Sequence, residues 1–308
     1  MSARVAQPDL ELFERHRGRL AGLAYRMLGS VSAAEDMVQE AYLRWHAADR
    51  GAVDEPGAYL AKTVARLCLD QLKSAQARRI DYVGPWLPEP LLEGAAASPE
   101  AAADLAHDLS VALLLTLERL SPLERAAFLL HDVFELDFAA VAETLGRSEA
   151  ACRQLAARGR ARVRLERPPR AVTSGAEVAL AQAFLAASRG GEIAPLQALL
   201  AEDVVLWTDG GGRKAAALNP IHGPDKVARF FAGLVRKYAG STPRLVRPAT
   251  INGLPGQVSI EADGTLQATT LEFSGERIRA IYIVRNPDKL AHLAAELGLV
   301  TDGVAVTA

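Results

Sequence analysis

The chain of 308 residues is poor in cysteine, has few aromatic residues and carries no general surplus of charge. Cys68 and Cys152 are its only cysteines and sit in different apparent helices. Such a pair supports neither a disulfide framework nor a zinc site. No apolar run approaches the roughly 18 residues that a membrane-spanning helix needs. The start, MSARVAQPDLELFERHRGRL, has no apolar core before a cleavage site, which argues against secretion. The expectation is a cytoplasmic protein with no membrane partner, no metal and no cofactor. The net charge of −2 excludes a basic character spread over the whole chain. Half of the residues are apolar and 23% are charged, which suits packed soluble domains.

The charge that is present is concentrated. Arg147 to Arg170 holds eight arginines against Glu149 and Glu166, a local excess of six positive charges. A cationic helix of this kind is the electrostatic footprint of nucleic-acid binding, although a solvated helix face has the same composition.

Helical periodicity covers residues 8–80. SAAEDMVQEAYLRW places Ala34, Met37, Val38, Ala41, Tyr42 and Trp45 on one face. Glu35, Asp36, Gln39 and Glu40 fall on the other, with Ser32 and Glu35 spaced as a capping box. HAADRGAVDEPG breaks the period as a loop. The helix after it turns Leu60, Val64, Leu67 and Leu72 inward and exposes Lys62, Arg66, Lys73, Arg78 and Arg79. Residues 83–104, rich in Pro, Gly and Ala, read as a linker containing WLPEP. Residues 105–167 are helical again. Ser121-Pro122-Leu123-Glu124 is a strong helix start. Two short helices follow, capped by Asp137 and Ser148 and separated at Gly146, with the short turn of a helix-turn-helix. Arg153, Gln154, Arg158 and Arg160 face outward on the second, where arginine reads guanine and glutamine reads adenine. From about residue 175 the texture becomes helices followed by strands broken at NG, ADG and SG, an α+β domain over 175–297.

One stretch resists this reading. WTDGGGRK (207–214) suggests a phosphate cradle, but it has neither the P-loop nor the dinucleotide spacing. A tight turn after a strand is the simpler expectation.

These residues together resemble a known family. GSVSAAEDMVQEAYLRW is similar to the polymerase-binding segment of extracytoplasmic-function sigma-70 factors. AYLAKTVARLCLDQLKSAQARR resembles their segment for the −10 element, and residues 120–163 resemble region four, which reads the −35 element. The tail resembles a SnoaL-like cone of the NTF2-like type. One subgroup of the family carries that extension together with WLPEP, DGGGK and NPDKL signatures. Here they are Trp86–Pro90, Asp209–Gly212 and Asn286–Leu290. The family's lysine after the glycines is Arg213 in this chain, with Lys214 next, and Ala150-Ala151 stand where relatives often have Gly-Thr.

The resemblance implies a multidomain protein: two all-α sigma domains (1–82 and 105–167, the second with the helix-turn-helix), then the α+β cone. It implies core RNA polymerase and promoter DNA as partners, no catalytic residues, and the fused domain in place of a separate anti-sigma factor. Glu35, Asp36, Gln39, Glu40 and Trp45 are then expected to bind the polymerase. Lys62, Arg66, Lys73, Arg78, Arg79, Arg147, Ser148, Arg153, Gln154, Arg158 and Arg160 are expected to bind DNA. A regulatory contact is expected from Trp86, Leu87, Pro88, Asp209, Gly210, Gly211, Gly212, Arg213, Lys214, Asn286, Pro287, Asp288 and Lys289, with the glycine loop and NPDKL docking on the helical half near WLPEP. Other readings remain open for the tail, namely an acid/base site from Trp207, Asp209 and His222 or a ligand sensor. A helix-turn-helix regulator acting without polymerase is a third.

Overall fold

The structure is a computed structural model that describes residues 7–49, 53–79, 82–92, 110–166, 175–238, 241–301 and 306–307. Contacts divide the chain into two units, residues 1–80 with 96–168 and residues 81–95 with 169–308. The WLPEP segment, read from sequence as part of the linker 83–104, belongs to the second unit.

The first unit is helical. α1 (Gln7–Leu28), α2 (Val31–Ala47) and α3 (Pro56–Arg79) pack around Leu20, Leu23, Met27, Val38, Trp45, Leu60, Val64 and Cys68. The cap of α2 differs from expectation. Gly29 sits at φ 67 and reverses the chain in one residue. Ser30 is thus the first extended residue, and its hydroxyl accepts from the Ala33 amide at 3.1 Å. Ser32 falls inside the first turn and does not cap.

α4 (Val111–Glu118) and α5 (Pro122–Phe128) follow. α5 starts with the expected capping box between Ser121 and Glu124 and runs into a π-helical turn, Leu129–Val133. α6 (Phe138–Leu145) and α7 (Glu149–Glu166) form the helix-turn-helix. Its punctuation is as expected. The Asp137 carboxylate accepts from the Ala140 amide at 2.7 Å, Gly146 is left-handed at φ 62, and the Ser148 hydroxyl accepts from the Ala151 amide at 3.3 Å. Gly159, in mid-helix, has a packing reason. A Cβ there would lie 2.9 Å from Cβ of Phe128, so α7 closes on α5 only because this position is bare.

The second unit begins with α8 (Gly175–Gly190) and α9 (Ile193–Leu199). A mixed sheet follows: β1 (Leu200–Asp209), β2 (Ile221–His222), β3 (Leu245–Ile251), β4 (Leu254–Ile260), β5 (Leu266–Ser274) and β6 (Arg277–Val284). α10 (Pro224–Lys237) lies between β2 and β3, and α11 (Pro287–Glu296) follows β6. β7 (Val300–Thr301) and β8 (Val306–Thr307) make a separate short pair. The strand order is β2-β1-β6-β5-β4-β3. Phe184, Leu196, Val204, Leu206, Val227, Phe231, Leu271, Ile281 and Ile283 fill the core between α8–α10 and the sheet. Burying a side chain of this kind is worth roughly 1.5–3 kcal/mol, so this face anchors the unit. This is the α+β layout expected for the tail.

One pairing positions the site. β1 and β6 run parallel, with Asp209 opposite Val284. Their C-terminal ends therefore lie side by side. The glycine turn leaves one and the NPDKL segment leaves the other.

Candidate functional site

The first group of residues centres on Asp209, which is fully buried. One carboxylate oxygen accepts from the Tyr82 hydroxyl at 2.5 Å and from the Gly211 amide at 3.0 Å. The other accepts from the Leu87 amide at 2.8 Å and from Lys289 Nζ at 2.7 Å. Lys289 also donates to the Leu87 carbonyl at 2.5 Å, and its ammonium lies 4.2 Å from the Trp86 ring centre and 4.9 Å from that of Tyr82. A buried ammonium is thus compensated by a carboxylate, a carbonyl and two aromatic faces. The Tyr82 phenol is pushed well above its ordinary pKa, first by burial and then by the Asp209 carboxylate it donates to.

Each glycine of the turn has its own steric reason. A Cβ on Gly210 would collide with the Lys214 carbonyl, and one on Gly211 with the Asn286 amide. A Cβ on Gly212 would stand 3.2 Å from Cβ of Val83. Gly211 and Gly212 also have φ of 58 and 71. The amides of Gly211, Arg213 and Lys214 are spent on Asp209 and on the Gly210 carbonyl. The turn wraps its own carboxylate and is no cradle for a phosphate. Arg213 pairs with Asp288, and Asn286 caps α11 by accepting from the Asp288 amide at 3.1 Å, while donating to the Tyr82 hydroxyl at 3.1 Å. Pro287 opens α11. Further along, the His292 ring and the Pro90 carbonyl are 2.7 Å apart, and the Leu91 amide donates to the Asn252 side chain at 3.1 Å.

So the structure brings Trp86, Leu87, Asp209, the glycine turn, Asn286 and Lys289 into one cluster. Pro88 is buried in the same stretch. The loop and NPDKL were expected to dock on the helical half near WLPEP; they close instead on WLPEP itself, which belongs to the same unit as they do. The acid/base alternative is not supported. Asp209 is committed to four donors, and His222 pairs with Val205, four residues back along β1 and so about 13 Å away.

In the first unit, Glu35, Asp36 and Gln39 are exposed and Glu40 is partly exposed, paired with Arg44 at 2.9 Å. Trp45 corrects its expectation. It is only 2% exposed and packs on Tyr59, so it supports α2 from within and presents no surface to a partner. Among the cations, Lys73 is exposed beside Asp70 at 2.9 Å. Arg147, Ser148, Arg153, Gln154 and Arg158 are exposed; Arg153 pairs with Glu149 and Arg160 with Asp132, each at 2.6 Å, and Arg158 lies 3.9 Å from Glu124. The side chains of Arg78 and Arg79 lie outside the described residues. Lys62 and Arg66 are held by Glu143.

Tyr82, Glu143 and Asp132 were missed by sequence reasoning. For Tyr82 a signal existed, an aromatic four residues before Trp86 at the edge of the linker. For the two acids no local signal exists, because their partners are distant in sequence. Among the described residues, no cluster of His, Cys, Asp or Glu suits a metal ion, and no helix is long and apolar enough to cross a membrane.

Known proteins give this arrangement its context. Residues 12–78 match the model of sigma-70 region 2 and residues 110–163 that of sigma-70 region 4. The ECF RNA polymerase sigma factor SigJ of Mycobacterium tuberculosis is 39% identical over 293 residues, covering 91% of this chain and 93% of SigJ. The probable ECF RNA polymerase sigma factor SigI of the same organism is 31% identical over 293 residues, covering 94% and 98%. The crystal structure of SigJ matches with a TM-score of 0.73 at 36% identity, over 92% of this chain and 98% of that one. These matches, with the fold, define a transcription protein of two helical regions with an α+β extension. The chain belongs to the extracytoplasmic-function (ECF) sigma factors of RNA polymerase.

Proposed function

We propose that this chain directs core RNA polymerase to its promoters and does no covalent chemistry. Glu35, Asp36, Gln39 and Glu40 form an acidic face that meets a basic surface on the polymerase. Lys73, with Lys62 and Arg66 once released, holds phosphates near the −10 element, a role also assigned to Arg78 and Arg79. Phosphate contacts fix register and make affinity fall with salt. Arg153, Gln154 and Arg158 enter the groove at the −35 element, with Arg147, Ser148 and Arg160 on the backbone. Arg153 and Arg160 exchange their carboxylate partners for DNA in doing so.

The C-terminal domain tunes this activity by gripping the segment that joins the two sigma regions, in the role a separate anti-sigma factor would otherwise fill. The observation that carries this reading is the buried Asp209–Lys289 pair closed over Leu87. A tethered domain acts on its own chain at an effective concentration of the order of millimolar, so modest contacts suffice.

Run-off transcription with purified core polymerase tests the whole reading. Transcripts only when core is present support a sigma factor. Tight duplex binding that needs no core, without transcripts, would make the chain an ordinary helix-turn-helix regulator.

A further inference from the structure

Lys62 and Arg66 stand one turn apart on α3 and so share a face. Both meet the last turn of α6. Lys62 Nζ lies 2.7 Å from one carboxylate oxygen of Glu143, and the Arg66 guanidinium lies 3.6 Å from the other. Arg66 also donates to the Glu143 carbonyl at 3.1 Å and to the Thr144 carbonyl at 3.4 Å. Carbonyls in the last turn of a helix have no partner within it, and the dipole makes that end negative. The C-terminal end of α6 thus offers a carboxylate and two carbonyl oxygens to two cations. A DNA phosphate offers the same thing, a compact negative group with several acceptors for lysine and arginine.

We propose that Glu143 is a phosphate mimic that sets the DNA affinity of this sigma factor by occupying Lys62 and Arg66 until promoter DNA displaces it. The inference rests on the reading above that these two cations hold phosphates. The contact also occupies α6 itself, the first helix of the helix-turn-helix, which in such motifs crosses the DNA backbone. Each DNA-binding element therefore blocks the other, and binding at one frees the second. The side chain of Glu143 is 61% exposed, so the latch is weak enough to be exchanged.

The test uses the full-length chain without polymerase and a fluorescein-labelled 30-base-pair duplex of mixed sequence, read by anisotropy. Glu143→Gln keeps the shape and removes the charge. It should bind about three- to tenfold more tightly at low salt, the range expected for losing one or two exposed ion pairs. The gain should shrink as salt rises. Glu135→Gln, an exposed acid in the same unit, sets the baseline for losing a negative charge anywhere. Lys62→Ala/Arg66→Ala should weaken binding, and adding Glu143→Gln to that pair should restore nothing. A gain for Glu143→Gln no larger than for Glu135→Gln overturns the mimic while the phosphate reading of α3 stands. If the double alanine variant binds as tightly as wild type, the phosphate reading falls, and this inference with it.

Discussion

Asp209 has two oxygens and four donors, from Tyr82, Gly211, Leu87 and Lys289. Removing one member of a buried pair strands the other, at a cost of about 3–5 kcal/mol. Lys289→Ala should therefore release the Leu87 carbonyl and leave the Asp209 carboxylate buried without its cation, loosening the stretch, seen as lost hydrogen-exchange protection across 82–92. Asp209→Ala/Lys289→Ala should be less damaging than the sum of the single changes, because neither charge is then left alone. Additive effects in denaturant titrations would contradict the pairing. The cysteines behave differently. Cys68 and Cys152 are both buried, and burial is the main cause raising both thiols above their ordinary pKa. Neither should react with an aromatic disulfide reagent at pH 8 in the native chain, and both should react in denaturant. Glu143 titrates the other way. Its hydrogen bond to Lys62 holds the carboxyl below the usual range. The contact is complete above the ordinary carboxylate pKa and is lost as pH falls through the depressed one, so wild type and Glu143→Gln should converge in acid.

At the scale of elements, much was readable because the signals are local. The caps Ser121, Asp137 and Ser148, the left-handed Gly146 and the strand breaks at Asn252-Gly253 and Ser274-Gly275 all act within a few residues. The cap of α2 was misplaced by two residues because Ser30 and Ser32 offer the same chemistry, and only the reversal at Gly29 separates them. The parallel pairing of β1 with β6 could not be read at all, since 75 residues separate Asp209 from Val284. Yet that pairing is what makes DGGG and NPDKL neighbours. The turn between them gives a sharp test. Gly211→Val adds a branched side chain at φ 58 and drives it into Asn286. The core between α8–α10 and the sheet is untouched, so the domain should stay folded while the grip on WLPEP loosens. Promoter output in run-off transcription should change, and an unchanged rate together with intact protection of 82–92 would count against the clamp. On α3, Lys73→Ala should weaken DNA binding evenly across sequences. It should reduce the dependence of log affinity on log salt by about 0.9, the value for one phosphate contact.

For the whole molecule, the decisive feature is that residues 81–95 group with the C-terminal unit although they lie between the two sigma regions in sequence. The chain enters the α+β unit after region 2, leaves it for region 4 and returns to it at the end. A domain appended merely at the C-terminus would hold region 4 by one tether. This one also grips the connection, and under the function proposed above that grip limits how far the two regions can separate. Promoter binding asks the regions to take positions set by the spacing of the −10 and −35 elements, and a gripped connection resists some of those positions. Truncation after residue 170 leaves Leu87 and Trp86 without Asp209 and Lys289, and so frees the connection. The truncated and full-length chains should then differ in transcription most on promoters whose spacing departs from the preferred one. The measurement is a series of templates with spacers lengthened and shortened by single base pairs, transcribed with the same core polymerase. If the two chains give parallel spacer profiles, the grip on the connection does not act on promoter geometry, and the C-terminal domain would have to work through some other surface.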